Sequence, residues 1–208
     1  MPAPLILVLP GGGYSRVVTE KEGTPTVAWL RSLGWRAEVV EYPVGVRHPT
    51  PLRFVEERIA AERAAGTDLI GVMGFSAGGH LAGHVALAGS ARPDFAVLCY
   101  PVVSMLLDTH RDSQDELLGA SASDEQRRAV SLEHLVTPEA PPFFVWHTGG
   151  DQLVSVEHAH LLGAALAQYG VPHDLHVFAE GPHGLGFAVG RPAAAWKGLC
   201  EAWLEQWR

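Results

Sequence analysis

The sequence predicts an α/β fold in which a mostly parallel sheet is covered by helices on both faces. Short apolar runs of strand length alternate with longer segments of helical pattern along the chain. Most of these runs are apolar almost throughout, which is typical of parallel strands buried on both faces. The chain has 208 residues, 47% of them hydrophobic. We therefore expect a single domain over residues 1–208 with a large core.

The individual elements follow from apolar spacing and from the turn residues that bound each run. Predicted strands are Leu5–Leu9, Ala37–Tyr42, Leu69–Phe75, Phe95–Tyr100, Phe143–Thr148 and His173–Phe178. Predicted helices are Thr24–Leu33, Arg53–Ala65, Ser76–Ala88, Glu157–Tyr169 and Pro192–Trp207. Residues 102–142 interrupt the alternation and are interpreted as a short insertion.

Charge and composition exclude several classes of partner. Fifteen Lys and Arg residues against 23 Asp and Glu give a formal charge of -8, and the basic residues are scattered. Neither a nucleic acid nor a membrane is therefore an expected partner. Because no charged segment precedes Leu5–Leu9 and no apolar run is long enough to span a bilayer, we expect a cytoplasmic protein. The two cysteines, Cys99 and Cys200, have no paired spacing and are expected to be buried thiols.

The strongest chemical signal is G-x-S-x-G at residues 74–78, which read Gly-Phe-Ser-Ala-Gly. In this motif a serine lies on a sharp turn from a strand into a helix, and the flanking glycines remove side chains that would collide there. A glycine-rich turn with an incidental serine is the alternative. Since the motif here follows a predicted strand and begins a predicted helix, Ser76 is interpreted as a nucleophile.

A serine nucleophile needs a base and an acid that orients the base. Asp151 follows the strand Phe143–Thr148, and His183 follows the last predicted strand, so Ser76, Asp151 and His183 occur in the Ser…Asp…His order. Taken alone, Asp151 also fits a turn-forming aspartate and His183 a polar loop residue. Other candidates for the acid are Glu157, Asp108, Asp112 and Asp115. Glu157 fits better as a carboxylate in the first turn of a helix.

The third requirement is a set of donors for the oxyanion of a tetrahedral intermediate. We expect the backbone N–H groups of Gly12, Gly13 and Ala77 to supply them, because peptide groups without side chains can approach a ligand closely. A phosphate-binding glycine loop is the alternative. Neither of the two common phosphate-loop patterns fits the residues that follow Gly13.

Together these motifs resemble the α/β-hydrolase esterases of the acetyl-xylan-esterase and hormone-sensitive-lipase-like group. The matching segments are Pro10–Tyr14, Gly74–Ala82, Tyr100–Val102, Pro141–Thr148, Asp151 and Gly181–Gly184. The resemblance covers nearly the whole chain. It implies a serine carboxylesterase that hydrolyses small-molecule esters, often acetyl groups on sugars, with neither a cofactor nor a metal. Lipases of the group usually begin the oxyanion motif with His, where this chain has Pro10.

Compared with larger members of that group, this sequence predicts a minimal version of the fold. No segment corresponds to the early N-terminal strands or to a large cap. The insertion 102–142 is largely polar, and Leu117–Leu118 and Leu132–Val136 are expected to form only a low wall beside the site. A shallow site favours a short acyl group, because a methylene that stays in water contributes nothing to binding.

Two other functions use the same residues differently. An arylformamidase would apply the same triad to an N-formyl amide, and a ligand-binding relative would have lost catalysis. For the assembly we expect a monomer or a homodimer. The final helix carries an apolar stripe that is expected to pack on the sheet, with a dimer surface as the alternative. The stripe consists of Trp196, Leu199, Cys200, Trp203 and Trp207.

Several of the 11 histidines in the chain raise the question of a metal site. His80 and His84 have i,i+4 spacing, but Leu81 stands where H-E-x-x-H requires Glu, so packed histidines are expected. His158 lies on the apolar side of its predicted helix and is a candidate for supporting the loop of Asp151. His147 ends a strand ahead of the acid and is expected to be structural.

Overall fold

The computed structural model of the chain describes residues 3–107 and 110–207. The strands are β1 Leu5–Leu9, β2 Arg36–Val39, β3 Ile70–Phe75, β4 Phe95–Cys99, β5 Phe143–Thr148 and β6 His173–Phe178. The α-helices are α1 Thr24–Ser32, α2 Thr50–Ala64, α3 Ser76–Ala88, α4 Arg111–Leu118, α5 Asp124–Arg128, α6 Glu157–Gln168 and α7 Trp196–Leu204. All predicted strands are present, with ends shifted by a few residues at most. The predicted helix 192–207 is α-helical only over α7, because a 3₁₀ turn flanks it on each side.

The six strands form one sheet in the order β2-β1-β3-β4-β5-β6, and all five strand pairs are parallel. From β1 the chain moves to β2 on one side and then returns to β3 on the other. The switch in direction therefore lies between β1 and β3, where Leu9 pairs with Gly74. In open α/β sheets the carboxyl ends of strands form a ligand-binding crevice at such a point.

Helices cover both faces of the sheet, as predicted. Alternate residues of each buried strand contribute to two separate apolar clusters, because successive side chains point to opposite faces. One cluster joins the sheet to α2, α3 and α6. The other joins it to α1 and α7, where the rings of Trp29 and Trp196 meet edge to face with centroids 5.5 Å apart.

The insertion 102–142 contains α4 and α5, which the sequence analysis did not predict. Leu117, Leu132 and Val136 are buried in the cluster under α2, α3 and α6, so the prediction that they form a wall beside the site is wrong. Their apolar side chains gain more from burial in the core than from lining an open cleft. The insertion is thus packed onto the domain through its apolar residues.

The apolar stripe of the final helix is confirmed for Trp196 and Cys200, which are buried against the sheet. It is wrong for Leu199, which is 41% exposed. Residues 196, 200 and 204 follow i,i+4 spacing and share the buried face, whereas Leu199 is rotated away from it. Both cysteines are buried free thiols, as predicted, and burial raises the pKa of each.

No helix in residues 3–107 and 110–207 has both the length and the apolar character needed to cross a bilayer.

Candidate active site

Ser76 is the first residue of α3 and directly follows β3. Its φ of +52° lies in the left-handed region, which strains a residue with a side chain. The glycines on either side make the turn possible: a Cβ on Gly74 would lie 2.2 Å from the carbonyl oxygen of Gly78, and one on Gly78 would lie 2.2 Å from that of Leu9. The motif therefore presents the Ser76 hydroxyl at the crevice between β1 and β3.

Ser76, His183 and Asp151 form a continuous hydrogen-bonded chain. The Oγ of Ser76 lies 2.8 Å from Nε2 of His183, and Nδ1 of His183 lies 2.6 Å from Oδ2 of Asp151. The Asp151 carboxylate can only accept, so Nδ1 carries the proton and Nε2 is left free to accept from the serine. Thr148 at the end of β5 donates to the carbonyl of Gly181 at 2.8 Å, which joins the two loops. The three predicted residues thus lie together.

The carboxylate of Asp151 is buried and held by its own loop. Its Oδ1 accepts the N–H groups of Leu153 and Val154, both at 2.9 Å. Burial by itself raises the pKa of Asp151, but hydrogen bonds from His147, His183 and Val154 outweigh burial and hold the pKa well below its usual range. Asp151 is therefore ionised at neutral pH and can stabilise a protonated His183.

His147 supports the acid, a contact that the sequence analysis did not foresee. Its Nε2 lies 2.9 Å from the carbonyl oxygen of Val154 and 3.3 Å from Oδ2 of Asp151. The carbonyl can only accept, so Nε2 carries a proton and points it toward the loop of Asp151. The structural role predicted for His147 is confirmed, and four-residue spacing from Asp151 across a strand end was its only sequence signal.

The other candidate acids make no hydrogen bond to His183 or lie outside the described chain. Glu157 is exposed in the first turn of α6, as predicted. Asp112 lies in the first turn of α4, and Asp115 lies farther along the same helix. Asp108 is outside the described residues. Among the described candidates, only Asp151 is hydrogen-bonded to His183.

The predicted oxyanion residues lie beside the serine. Gly12 and Gly13 line the same cleft as Ser76 and His183, with φ values of +132° and +66°. Their N–H groups make no hydrogen bond to any part of residues 3–107 or 110–207. Ala77 is in the first turn of α3, where backbone N–H groups have no partner within the helix. By contrast, the N–H of Gly11 is bound by Glu22 at 2.8 Å, so the first glycine of the run is not available to a ligand.

The cleft at this site has a volume of about 470 Å³, and most of the side chains along its described walls are polar or charged. Among the described residues that line it, only Val18 and Leu153 contribute large apolar side chains. Charged or hydrogen-bonding side chains along it include Ser15, Arg16, Lys21, His110 and Asp112. The cleft therefore suits a ligand that is itself polar over much of its surface.

His110 comes from the insertion and was not singled out by the sequence analysis. Its Nδ1 accepts the backbone N–H of Ser113 at 3.2 Å, which leaves Nε2 to carry the proton in the neutral ring. Burial lowers the pKa of His110, and the charge of His183 lowers it further against the opposing effect of Asp112. His110 thus offers its Nε2–H to the cleft as a hydrogen-bond donor.

His80 and His84, on α3, pack within the fold. His80 accepts the Tyr14 hydroxyl at Nδ1 (2.7 Å) and donates from Nε2 to the Val130 carbonyl at 2.8 Å, as expected for a packed histidine. Burial lowers its pKa to about 4. His84 stacks on His48 with ring centroids 5.2 Å apart. No group of three His, Cys, Asp or Glu side chains in the described part of the chain is arranged to hold a metal ion.

His158 lies near Asp151 but serves the insertion. Its Nδ1 accepts the N–H groups of Val103 and Ser104 at 3.0 and 3.1 Å. Support of the Asp151 loop, for which His158 was the candidate, thus comes from His147. His158 instead holds the start of residues 102–142.

The segment that contains the three hydrogen-bonded residues identifies the protein family. A model of the prolyl oligopeptidase family matches residues 52–208, which include Ser76, Asp151 and His183. The chain belongs to the prolyl oligopeptidase family.

Among curated relatives, this family member is 33% identical to endo-1,4-beta-xylanase B of Butyrivibrio fibrisolvens, over 93% of this chain and 34% of the relative. It is 32% identical to an acetylxylan esterase of Xylanibacter ruminicola, over 88% of this chain and 41% of the relative. The chain therefore spans well under half the length of either protein.

Among solved structures, the chain is similar to an acetyl ester-xyloside bifunctional hydrolase from Caldicellulosiruptor lactoaceticus. The two share 38% identity with a TM-score of 0.92, over 98% of this chain and 83% of that one. The predicted α/β-hydrolase fold is confirmed, as is the predicted resemblance to acetyl-xylan esterases.

Proposed function

We propose that this prolyl oligopeptidase family member is a serine carboxylesterase that removes short, acetyl-type acyl groups from polar alcohols. The observation that carries the proposal is the continuous chain from Ser76 Oγ through His183 to the buried Asp151, at 2.8 and 2.6 Å. A serine becomes a nucleophile when such a base takes its proton. The names of the relatives, an acetylxylan esterase and an acetyl ester-xyloside hydrolase, support an ester substrate.

In the first half of the reaction, Ser76 Oγ bonds to the ester carbonyl carbon while its proton passes to Nε2 of His183. Ionised Asp151 stabilises the imidazolium and keeps Nδ1 protonated. The carbonyl oxygen becomes an oxyanion, for which we propose the N–H groups of Gly12, Gly13 and Ala77 as donors. When the bond to the alcohol breaks, the leaving oxygen takes the proton from His183 and an acyl-Ser76 remains.

In the second half, water takes the place of the alcohol. His183 accepts a proton from the water as its oxygen bonds to the acyl carbon, and the same donors hold the second oxyanion. Release of the Ser76 oxygen, which recovers its proton from His183, yields the carboxylic acid and free enzyme.

The walls of the cleft favour a short acyl group on a polar alcohol. Val18 and Leu153 are the only large apolar side chains among its described lining residues, and Leu153 is 51% exposed. A long acyl chain would therefore remain largely in water and gain little from binding. The neutral Nε2–H of His110 and the charged ends of Arg16 and Lys21 can instead hydrogen-bond to hydroxyl groups, as on an acetylated sugar.

The experiment that tests the proposal compares wild type with Ser76→Ala on p-nitrophenyl acetate and on an acetylated xylo-oligosaccharide. The variant should retain only a residual rate, roughly 10³–10⁴ over water. Ser121→Ala changes an exposed serine and should have wild-type rates. A fluorophosphonate probe should modify Ser76, as read by peptide mass spectrometry. Labelling elsewhere, or faster turnover of N-formylkynurenine than of every ester, would overturn the proposal.

A further inference from the structure

Glu22 is a buried carboxylate to which the proposed reaction gives no role. It lies in a single turn of π-helix, Thr19–Gly23, between the glycine run and α1. Its neighbours Glu20 and Lys21 are exposed, whereas Glu22 is only 4% exposed. Burying a carboxylate is costly unless specific donors compensate for the lost water. The side chain must therefore be held by particular partners.

Two neutral donors hold it, one on each carboxylate oxygen. Oε2 accepts the N–H of Gly11 at 2.8 Å, and Oε1 accepts the hydroxyl of Tyr100 at 2.7 Å. Within residues 3–107 and 110–207 no Lys, Arg or His forms an ion pair with Glu22. Charge-assisted hydrogen bonds of this kind are stronger than neutral ones, so both partners are firmly placed.

The Gly11 contact fixes one peptide unit at the start of the glycine run. The N–H of Gly11 and the carbonyl of Pro10 belong to the same peptide plane, and Tyr42 donates its hydroxyl to that carbonyl at 2.7 Å. Both ends of the plane are thus held by buried side chains. A Cβ on Gly11 would lie 3.0 Å from the Cβ of Ser76 and 3.0 Å from Oε2 of Glu22. Gly11 therefore packs tightly between Ser76 and the carboxylate of Glu22. The next two residues along the chain, Gly12 and Gly13, carry the proposed donor N–H groups.

The Tyr100 contact reaches the opposite side of the cleft. The hydroxyl of Tyr100 also accepts the N–H of Gly186 at 2.9 Å, in the loop that carries His183. Its ring meets that of His183 edge to face, with centroids 5.2 Å apart. Glu22 thus joins the glycine run and the histidine loop through two consecutive hydrogen bonds.

We infer that Glu22 is a positioning residue for the proposed hydrolysis, on which this inference rests. It holds the Pro10–Gly11 peptide so that Gly12 and Gly13 aim their N–H groups at the developing oxyanion. Through Tyr100 it also keeps the His183 loop at the right distance from Ser76. Because the oxyanion exists only after attack, loss of Glu22 should lower kcat far more than it raises KM.

The test measures kcat and KM for p-nitrophenyl acetate in Glu22→Ala and Glu22→Gln. We expect Glu22→Ala to lower kcat by about 10²–10³, as for a lost oxyanion donor, with KM nearly unchanged. Glutamine keeps an acceptor for Gly11, so Glu22→Gln should recover part of this loss and remain about tenfold below wild type. Glu20→Gln, an exposed neighbour on the same turn, should match wild type.

A second arm tests the link to the histidine loop. Tyr100→Phe keeps the ring beside His183 but removes the hydroxyl, and its effect on kcat should not add to that of Glu22→Gln, because the two changes break one network. Additive losses would contradict the link. If Glu22→Ala fails to fold, Glu22→Gln decides alone: an unchanged kcat, or a raised KM with normal kcat, overturns the inference. Wild type that neither hydrolyses esters nor labels at Ser76 would instead refute the proposed function.

Discussion

The two sides of the cleft differ in how far along the sequence the groups that hold them lie. On one side Ser76, Asp151 and His183 each follow the end of a strand, and Asp151 is held by N–H groups two and three residues farther along. On the other side the run Gly11–Gly13 is held by side chains remote from it, namely Glu22 and Tyr42. The first side is thus specified locally, and the second depends on contacts that only the fold creates.

The two sides also differ in the kind of charge they offer. The triad side consists of titratable groups whose protonation must be right for the reaction. The glycine side offers only peptide dipoles, which have no protonation state and act through their direction alone. Substitutions on the triad side should therefore remove a chemical step, whereas substitutions on the glycine side should misplace donors that remain present.

The largest expected effect lies on the triad side. Asp151→Asn keeps the shape of the acid but cannot hold the same tautomer of His183, so kcat should fall by about 10⁴. Glu157→Gln, on the exposed first turn of α6, should leave kcat unchanged. Steady-state kinetics of both variants on p-nitrophenyl acetate checks this. If Glu157→Gln were the inactive variant, the acid would be assigned to the wrong loop.

The next effect lies on the glycine side. In Gly12→Ala the new Cβ would lie 2.2 Å from the carbonyl oxygen of Arg16, at a φ of +132°, so the run must move. We expect kcat to fall by about 10²–10³. Gly34→Ala is the matched control: Gly34 also has a positive φ, +89°, but nothing lies within 4 Å of its added Cβ. Gly34→Ala should lose some stability and no activity. Equal kcat values for Gly12→Ala and Gly34→Ala would show that the glycine run takes no part in the reaction.

A third prediction compares how acid affects the two sides. The folded pKa of Asp151 is depressed, so its contribution to stability is present above its unfolded value of about 4 and is lost only at still lower pH. His80, which anchors Tyr14 beside the glycine run to Val130 of the insertion, is neutral in the fold with a pKa of about 4. Its unfolded pKa is about 6.5. Above pH 6.5 His80 should therefore not lower the free energy of unfolding. As the pH falls to 4, this one group should lower it by roughly 3 kcal/mol.

Urea unfolding between pH 8 and pH 4 measures how steeply the free energy of unfolding falls with pH. His80→Gln keeps a donor and an acceptor but cannot take up a proton. The variant should be less stable than wild type at pH 8, and its stability should fall less steeply between pH 6.5 and pH 4. An unchanged slope would show that His80 does not govern acid sensitivity on this side.

The smallest expected effect concerns the acyl group. Because Val18 and Leu153 are the only large apolar side chains that the described part of the chain brings to the cleft, kcat/KM for p-nitrophenyl esters should peak between acetyl and butyryl. It should fall several-fold by octanoyl, because the added methylenes stay largely in water and their binding energy does not offset the entropy lost in ordering a longer chain. An optimum at octanoyl or longer would indicate an apolar pocket that this cleft does not have.

The difference between the two sides also explains what could be predicted from sequence. Strand ends can be located from apolar runs and turn residues, so Ser76, Asp151 and His183 were predictable from their positions after such runs. The roles of Glu22 and Tyr42 were not predictable. Glu22 directly follows two exposed charged residues, Glu20 and Lys21, and no periodicity marks it as the buried one.

The insertion shows the same limit. Its polar composition indicated an open site, but several apolar residues of the insertion, among them Leu117 on α4 and Leu132 and Val136 after α5, are buried in the core, while α5 itself buries no residue. His110 enters the cleft from the start of α4, at a position that local pattern does not distinguish from the neighbouring polar residues.

The proposed function requires Ser76 to accept the acyl group, and trapping that intermediate measures this step most directly. Wild type mixed with p-nitrophenyl acetate and quenched within the first turnovers should gain one acetyl group, located on Ser76 by peptide mass spectrometry. Asp151→Asn should accumulate the adduct far more slowly, and Ser76→Ala should not form it. An acetyl group on another residue, or equal release of acetate by wild type and Ser76→Ala, would contradict the account.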